Sequence, residues 1–158
     1  MNGVPFISRL ARKLIRKLTL SRLAIKIYDR FLPAKTLGQR GERAAERFLL
    51  KQGMVIVARG YQDKFGEVDL IAVDDETIVF VEVKTRTSDL AGLPAEAVDE
   101  TKQQHLTKTA YGYLKWHRLT DCRARFDVIA ITWPTCDREP EIVHYANAFE
   151  PMGQFQMF

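Results

Sequence analysis

Two runs of β-type sequence on either side of a short polar turn constrain the fold more than any other feature of the chain. The runs read "EVDLIAV" at residues 67–73 and "TIVFVEVKT" at residues 77–85, and the turn reads "DDET". Because Val, Ile and Phe favour strands, this pattern predicts an antiparallel hairpin. Charged residues nevertheless interrupt both runs, at Glu67, Asp69, Glu82 and Lys84.

The expected geometry of the turn brings these four charges together. If the second and third residues of the turn are its centre, Asp69 falls opposite Glu82. Glu67 then falls opposite Lys84, and all four side chains share one face, since side chains alternate along a strand. Opposed Cβ atoms in such pairs lie roughly 5 Å apart. Two facing carboxylates repel each other unless a positive group lies between them.

A divalent cation is the simplest such positive group. Mg²⁺ typically binds one or two carboxylates and completes its shell with water and substrate phosphate, so Asp69 and Glu82 supply a suitable pair. Lys84 would lie beside the ion, where an ammonium group can orient or deprotonate an attacking water and stabilise developing charge. The residues alone leave a second interpretation open, in which the hairpin presents a solvated face of mixed charges.

The chain from residue 36 onward predicts a sheet with helices on its faces. Apolar spacing indicates a helix in "LGQRGERAAERFLLKQG", stopped by Gly53, and a second in "DETKQQHLTKTAYGYLKWH", with Asp99 as its N-cap. The apolar residues expected on the buried face of the second helix are Leu106, Ala110, Tyr113 and Leu114. Further strands are predicted at 54–59, 125–131 and 141–146, the last at an edge, and a loop at 60–66. This order of elements indicates an α/β fold.

Charged residues on the two helices each have two interpretations. Glu42 lies beside the apolar stripe of the first helix, one turn from its start, where the helix dipole by itself favours an acid. Lys102, Lys108 and Lys115 of the second helix could contact phosphates, or could form a solvated helix face.

The basic character of the chain is concentrated at its N-terminus. Of 24 Lys and Arg and 20 Asp and Glu, residues 1–35 hold nine basic residues and one acid, which leaves fifteen basic and nineteen acidic residues in the remainder. The segment "FISRLARKLIRKL" has the period of an amphipathic helix, and its basic residues argue against a secretory signal. Three interpretations remain open, namely binding to an anionic membrane surface, contact with phosphates, and packing of the apolar stripe on the main domain.

The cysteines and histidines form no metal-binding pattern. Cys122 and Cys136 lack Cys-x-x-Cys spacing, and the three histidines form no i, i+4 pair. A zinc site is therefore not predicted, and we expect buried thiols in a reducing cytoplasm.

Several separated strings of the sequence carry a family resemblance. Asp69 followed by Glu82-Val83-Lys84 resembles the Asp…Glu-x-Lys signature of the restriction-endonuclease-like, or PD-(D/E)xK, nuclease fold. The strings "LGQRGERAAERFL", "GEVDLIA", "FVEVKTR", "AVDETKQQHL" and "RFDVIAI", in this order, are similar to those of the YraN-like family of small bacterial proteins. The resemblance implies an α-β-β-β-α-β nuclease-like domain over residues 36–148. It leaves residues 149–158 as a tail, and residues 1–35 as a lineage-specific extension or the result of a misassigned start.

The resemblance also implies roles for individual residues. Asp69 and Glu82 would hold a divalent cation, Mg²⁺ or Mn²⁺, and Lys84 would be the catalytic lysine. In related nucleases, including archaeal Holliday-junction resolvases, an acid on the first helix joins the site, and Glu42 has that position here. Glu67 belongs to the family string "GEVDLIA" and is a supporting residue without an assigned role.

Three functional classes follow from these expectations. The first is a Mg²⁺-dependent DNA endonuclease, with branched or processed DNA among the candidate substrates, and the complete Asp, Glu and Lys set favours it. The second is a nucleic-acid-binding module that retains the fold without turnover, and the third is a protein-interaction domain. Neither Gln103 nor Gln104 is followed by Tyr at the Gln-x-x-x-Tyr spacing of some relatives, which argues against the exonuclease branch.

Overall fold

The computed structural model describes residues 36–87, 98–133 and 139–153. Within these ranges the helices are α1 (Leu37–Lys51) and α2 (Glu100–His117). The strands are β1 (Val55–Gln62), β2 (Glu67–Asp74), β3 (Thr77–Arg86), β4 (Arg123–Thr132) and β5 (Glu141–Phe149). The amphipathic helix predicted in residues 1–35 lies outside the described residues, as does Cys136.

The strands form one mixed sheet in the order β1-β2-β3-β4-β5. β3 and β4 are parallel, and α2 belongs to the crossover that joins them. The other neighbouring strands are antiparallel. This arrangement confirms the predicted α/β class, and β5 lies at an edge of the sheet as expected.

The two helices pack into separate cores that share the sheet. The core on the α1 side includes Ala44, Ala45, Leu49, Leu70, Val79 and Ile129. The core on the α2 side includes the four helix residues predicted from periodicity, all of them buried, together with Phe80 and Phe126. Because β2 and β3 supply side chains to both cores, the middle of the hairpin is buried on both faces. Charges on this hairpin are therefore close to the interior.

Local hydrogen bonds fix the starts of both helices. Thr36 Oγ1 accepts from the backbone N–H of Gln39 at 3.2 Å, and Asp99 Oδ1 accepts from that of Lys102 at 2.8 Å. Both are N-cap contacts, and the predicted cap at Asp99 is confirmed. After α1, Gly53 has a φ of 89°, a left-handed conformation that glycine adopts without steric cost, and this confirms the predicted stop.

The β2–β3 hairpin has the predicted register. Its pairs begin beside the turn at residues 75–76 and continue to Leu70 opposite Val81. The next residues along the two strands are Asp69 and Glu82. The turn length and the alternation of side chains were therefore sufficient to align these strands.

Two predicted strand boundaries were wrong. β1 continues through Gln62 instead of ending before a loop at residue 60, because its last residues pair with β2 as far as Glu67. β5 continues through Phe149, whose ring stacks on Phe126 with a centroid separation of 4.8 Å. The chain also stays packed on the domain at Pro151, which is buried.

Two further features concern the environment of the chain. Cys122 is a free thiol that is half-buried against the core on the α2 side, so the thiol expected to be buried is only partly enclosed. In the described ranges no helix combines the length and the apolar character needed to cross a membrane.

Candidate active site

Asp69 of β2 and Glu82 of β3 lie side by side just beyond the last pair of the hairpin ladder. The backbone N–H of Val83 donates to Asp69 Oδ2 at 2.7 Å, so the Asp69 side chain bridges the two strands. Glu82 is only 4% exposed, and Asp69 is half-buried. Two carboxyl groups thus share a site from which most water is removed.

The electrostatics of Asp69 reflect this crowding. Burial of the carboxyl, followed by the negative charge of Glu82, raises the pKa of Asp69 to about 7. The hydrogen bond from Val83 and the positive charge of Lys102 oppose this increase, and the charge of Glu42 adds to it. A second negative charge is therefore disfavoured at this position until a cation joins the pair.

Glu82 uses only one of its two oxygens. Its Oε1 forms ion pairs with Lys84 Nζ at 2.8 Å and with Lys102 Nζ at 3.2 Å. Its Oε2 is buried and has no hydrogen-bond partner among the described residues. A buried carboxylate oxygen without a hydrogen-bond partner is costly, so this atom is a candidate ligand atom.

The N-terminal half of α1 adds Glu42 to Asp69 and Glu82, and the three residues form an acid cluster. Burial, followed by the charge of Glu67, raises the pKa of Glu42, and Arg43 opposes the shift. The helix can lie this close because residue 41 is glycine. A Cβ atom at Gly41 would lie 2.9 Å from Thr85 Cβ, so any larger residue would push α1 away from β3.

Glu67 contacts the strand on the other side of β2. The β2–β3 pairs end before they reach Glu67 and Lys84, so that predicted pair stays a prediction, and on the β1 side Glu67 pairs with Gln62. Gln62 Nε2 donates to Glu67 Oε2 at 2.8 Å. Val68 packs in the core on the α2 side and Leu70 in the core on the α1 side. Glu67 still acts on the site through its charge at Glu42.

The three lysines proposed on α2 are not equivalent. Lys102 reaches Glu82 from the first turns of the helix, and its side chain is 29% exposed. Lys108 is half-buried and Lys115 is exposed. Of these three residues, only Lys102 forms an ion pair with the acid cluster among the described residues. Sequence periodicity gave no sign of this contact, because the position of α2 over the sheet is a tertiary feature.

An open cleft lies next to the acid cluster. It has a volume of about 470 Å³ and is lined by Gln62, Asp63, Gly66, Glu67, Lys102 and His105. Asp63 stiffens its rim, because Asp63 Oδ1 accepts from the backbone N–H groups of Phe65 and Gly66 and from Thr109 Oγ1. The cleft therefore has a fixed loop on one side and the start of α2 on the other.

The residues of the cluster fit a divalent cation held by few protein ligands. In the described part of the chain, no group of three or more His, Cys, Asp or Glu side chains is arranged to hold a metal ion. Two carboxylates are nevertheless a common protein contribution to a Mg²⁺ site. The raised pKa of Asp69, and the Glu82 Oε2 atom that has no partner among the described residues, are compatible with such an ion.

A second buried acid, which sequence reasoning missed, provides a contrast. Asp127 of β4 is fully buried and accepts hydrogen bonds from Arg125, His144 and the backbone N–H of Asn147. Burial alone would raise the pKa of Asp127, but these three donors together hold it below its usual value. Arg125 also forms an ion pair with Asp74 at 2.9 Å. An acid inside the apolar string "RFDVIAI" was the available signal. Because its oxygens are satisfied, this network is structural.

Comparisons with known proteins agree with the resemblance. A family model described as "Uncharacterised protein family UPF0102" matches residues 41–131, a range that includes Glu42, Asp69, Glu82, Lys84 and Lys102. A UPF0102 protein of Rhodopirellula baltica is 43% identical over 120 residues, covering 74% of this chain and 72% of the relative.

Two further relatives match over nearly their whole length. A UPF0102 protein of Geobacter metallireducens is 45% identical over 116 residues, covering 73% of this chain and 93% of the relative. A UPF0102 protein of Caldicellulosiruptor saccharolyticus is 42% identical over 115 residues, covering 73% of this chain and 98% of the relative. The chain therefore belongs to UPF0102, the YraN-like family.

Proposed function

We propose that this protein is a metal-dependent endonuclease that hydrolyses phosphodiester bonds in DNA, with a restriction-endonuclease-like core. One observation carries the proposal. A buried glutamate, Glu82, has one carboxylate oxygen without a partner among the described residues, and beside it lies a second acid, Asp69, whose ionisation is suppressed. Lys84 Nζ lies 2.8 Å from the other oxygen of Glu82. Two neighbouring carboxylates and a lysine paired with one of them are the parts that metal-assisted hydrolysis needs.

The order of elements supports the fold part of the proposal. α1, the three strands β1–β3, the crossover helix α2 and β4 follow one another in the order expected for that nuclease core. The acids lie on the two central strands of this arrangement, and both helices reach them, through Glu42 from α1 and Lys102 from α2.

Each residue of the cluster has a distinct role in the proposal. Asp69 and Glu82 would hold a Mg²⁺ or Mn²⁺ ion, which when bound supplies Lewis-acid stabilisation of the negative charge that develops on a phosphoryl oxygen. Lys84 is held in place by Glu82 and would orient the attacking water and stabilise developing charge. Glu42 lies at the margin of the pair, where its charge would tune metal affinity.

A second candidate is a nucleic-acid-binding module without turnover. One observation favours it, since the ammonium groups of Lys84 and Lys102 offset the charge of Glu82. A protein of this kind would bind DNA in a salt-dependent way and leave it intact. A protein-interaction domain, the third class, would show no salt-dependent DNA binding at all.

A nuclease assay separates these candidates. Linear duplex, single-stranded and four-way-junction DNA are each incubated with the protein in Mg²⁺, Mn²⁺ or EDTA. We expect cleavage of at least one substrate with metal and none in EDTA. Lys84→Ala should abolish cleavage and retain DNA binding, because it removes a group that acts only as water attacks. Uncatalysed phosphodiester hydrolysis is too slow to contribute a background.

The matched control is Lys115→Ala, which removes an exposed lysine from α2 and should cleave as the wild type does. Identical purification of all variants addresses contaminating nuclease. Equal cleavage by the wild type and Lys84→Ala, or intact DNA with every substrate, would reject the endonuclease in favour of the binding module.

A further inference from the structure

Two lysines from different elements pair with Glu82, namely Lys84 of β3 and Lys102 of α2. Lys84 follows Glu82 by two residues on the same strand, whereas Lys102 reaches the same Oε1 atom from α2, at 3.2 Å. Its charge also acts on Asp69. Two ammonium groups therefore meet at one oxygen of Glu82, while the other oxygen has no partner among the described residues.

We infer that Lys102 is a positioning residue that neutralises the acid pair in the metal-free protein and turns to a substrate phosphate when a divalent cation binds. This inference rests on the proposed function, because it assumes that Asp69 and Glu82 hold the cation. It also predicts that metal binding and DNA binding are coupled through Lys102. The roles proposed for the acids and for Lys84 do not predict this coupling.

Competition for one carboxylate explains why Lys102 should leave Glu82. The ammonium groups of Lys84 and Lys102 share Glu82 Oε1, and a cation held by Glu82 would compete with both for the charge of that carboxylate. Like charges a few ångströms apart in a poorly hydrated site repel strongly, so one ammonium group must withdraw. Both side chains are 29% exposed, but of the two lysines only Lys102 lines the cleft, so we expect Lys102 to be the one that moves.

The cleft supplies that room. Lys102 lines the cleft of about 470 Å³ that borders the acid cluster, together with His105 and Gln62. A lysine side chain is a compact charge on a flexible stem, with three donors that suit phosphate oxygens. A small rotation about this stem carries the ammonium from Glu82 into the open space where a DNA phosphate would approach the cation.

Coupling of this kind is reciprocal, which makes it measurable in two ways. If Lys102 competes with the cation for Glu82, removing the lysine must strengthen metal binding in the absence of DNA. If Lys102 contacts a phosphate only in the metal-bound protein, it must add to the counterions released on DNA binding in metal but not in EDTA.

Metal affinity is measured by calorimetric titration of Mn²⁺ into the full chain without DNA. We expect Lys102→Met to bind Mn²⁺ about tenfold more tightly than the wild type, the effect of losing one charged hydrogen bond. Lys102→Arg, which retains the ion pair, and Lys115→Met, which removes an exposed charge from the same helix, should both bind as the wild type does.

DNA binding is measured in a Lys84→Ala background, so that the DNA stays intact. In Mn²⁺, the slope of log K against log salt should be smaller by about 0.9 when Lys102→Met is added, the value for one phosphate contact. In EDTA the two slopes should agree. Lys115→Met in the same background is the control. Any change of slope that it causes should be equal in Mn²⁺ and in EDTA.

The outcomes separate this inference from the proposed function. If the wild type does not bind Mn²⁺, both the inference and the proposed function are wrong. The same holds if the double variant Asp69→Asn, Glu82→Gln still binds it. Mn²⁺ binding that needs the two acids but is not strengthened by Lys102→Met overturns only the competition at Glu82. Equal slope changes in Mn²⁺ and in EDTA overturn the transfer of Lys102 to phosphate.

Discussion

Replacing Asp69 by Asn tests the electrostatics of the acid cluster without relying on catalysis. The side chain keeps its shape, and the amide oxygen can still accept the hydrogen bond from the backbone N–H of Val83. What the substitution removes is the charge that Asp69 acquires beside Glu82 when the pH rises. In the absence of metal, this charge should destabilise the folded protein.

The magnitude follows from the raised pKa. The pKa of Asp69 rises from 3.8 to about 7 on folding, first through burial and then through Glu82. The folded state therefore binds a proton more tightly than the unfolded state does. The stabilisation that the protonated Asp69 gives the folded state is fully present below pH 4, and it is lost as the pH rises through 7. With 1.36 kcal/mol for each pH unit, the wild type should lose at most about 4 kcal/mol over this window.

Urea denaturation at pH 5, 7 and 9 in EDTA measures this effect. We expect the free energy of unfolding of the wild type to fall across the series, and that of Asp69→Asn to fall by less. At pH 9 the variant should be the more stable protein. Addition of Mg²⁺ should then raise the stability of the wild type and have little effect on the variant, which lacks a metal ligand.

Asp127→Asn is the control of opposite sign. Hydrogen bonds hold the pKa of Asp127 below its usual value against the effect of burial, so its charge is stabilising and is lost only as the pH falls. This variant should lose roughly 3–5 kcal/mol at neutral pH, as expected when one member of a buried ion pair is removed. If Asp69→Asn also destabilises the protein at pH 9, the electrostatic description of the cluster is wrong.

Three further predictions concern the surroundings of the site. Gly41→Ala should lower the free energy of unfolding by about 1–3 kcal/mol in urea, through overpacking against Thr85, whereas Gly38→Ala, with more space, should not. Glu42→Gln should reduce metal-dependent cleavage in single-turnover assays, but by less than changes to the two central carboxylates, and a complete loss would make it a ligand. Deletion of residues 1–35 should flatten the salt dependence of DNA binding if their charge contacts phosphates. An unchanged slope, with liposome binding by the isolated segment, would instead assign them to an anionic membrane.

The hairpin illustrates what local sequence can determine. A two-residue turn and alternating apolar positions set the alignment of β2 with β3, and this put Asp69 beside Glu82. The buried face of α2 followed from its 3.6-residue period for the same reason, since both patterns depend on regular geometry. The β2–β3 pairs end at Leu70 and Val81, so the predicted pair of Glu67 with Lys84 stays a prediction.

Long-range contacts could not be predicted in this way. The ion pair of Lys102 with Glu82 depends on where the crossover sets α2 over the sheet, and no local pattern encodes that distance. The partners of Asp127 come from strand neighbours that are distant in sequence, His144 among them. The Glu82 oxygen without a partner is likewise a property of packing, because it depends on where the donors of the described residues are directed.

A crystal structure of the full chain grown with Mn²⁺ is the most direct test of the central claim. We expect one anomalous peak between Asp69 and the Oε2 atom of Glu82, at separations close to the roughly 2.0–2.1 Å typical of Mg²⁺. Lys84 should remain paired with Oε1 of Glu82. A structure at saturating Mn²⁺ with no peak at this position, and with Glu82 Oε2 still buried against protein alone, would contradict the account.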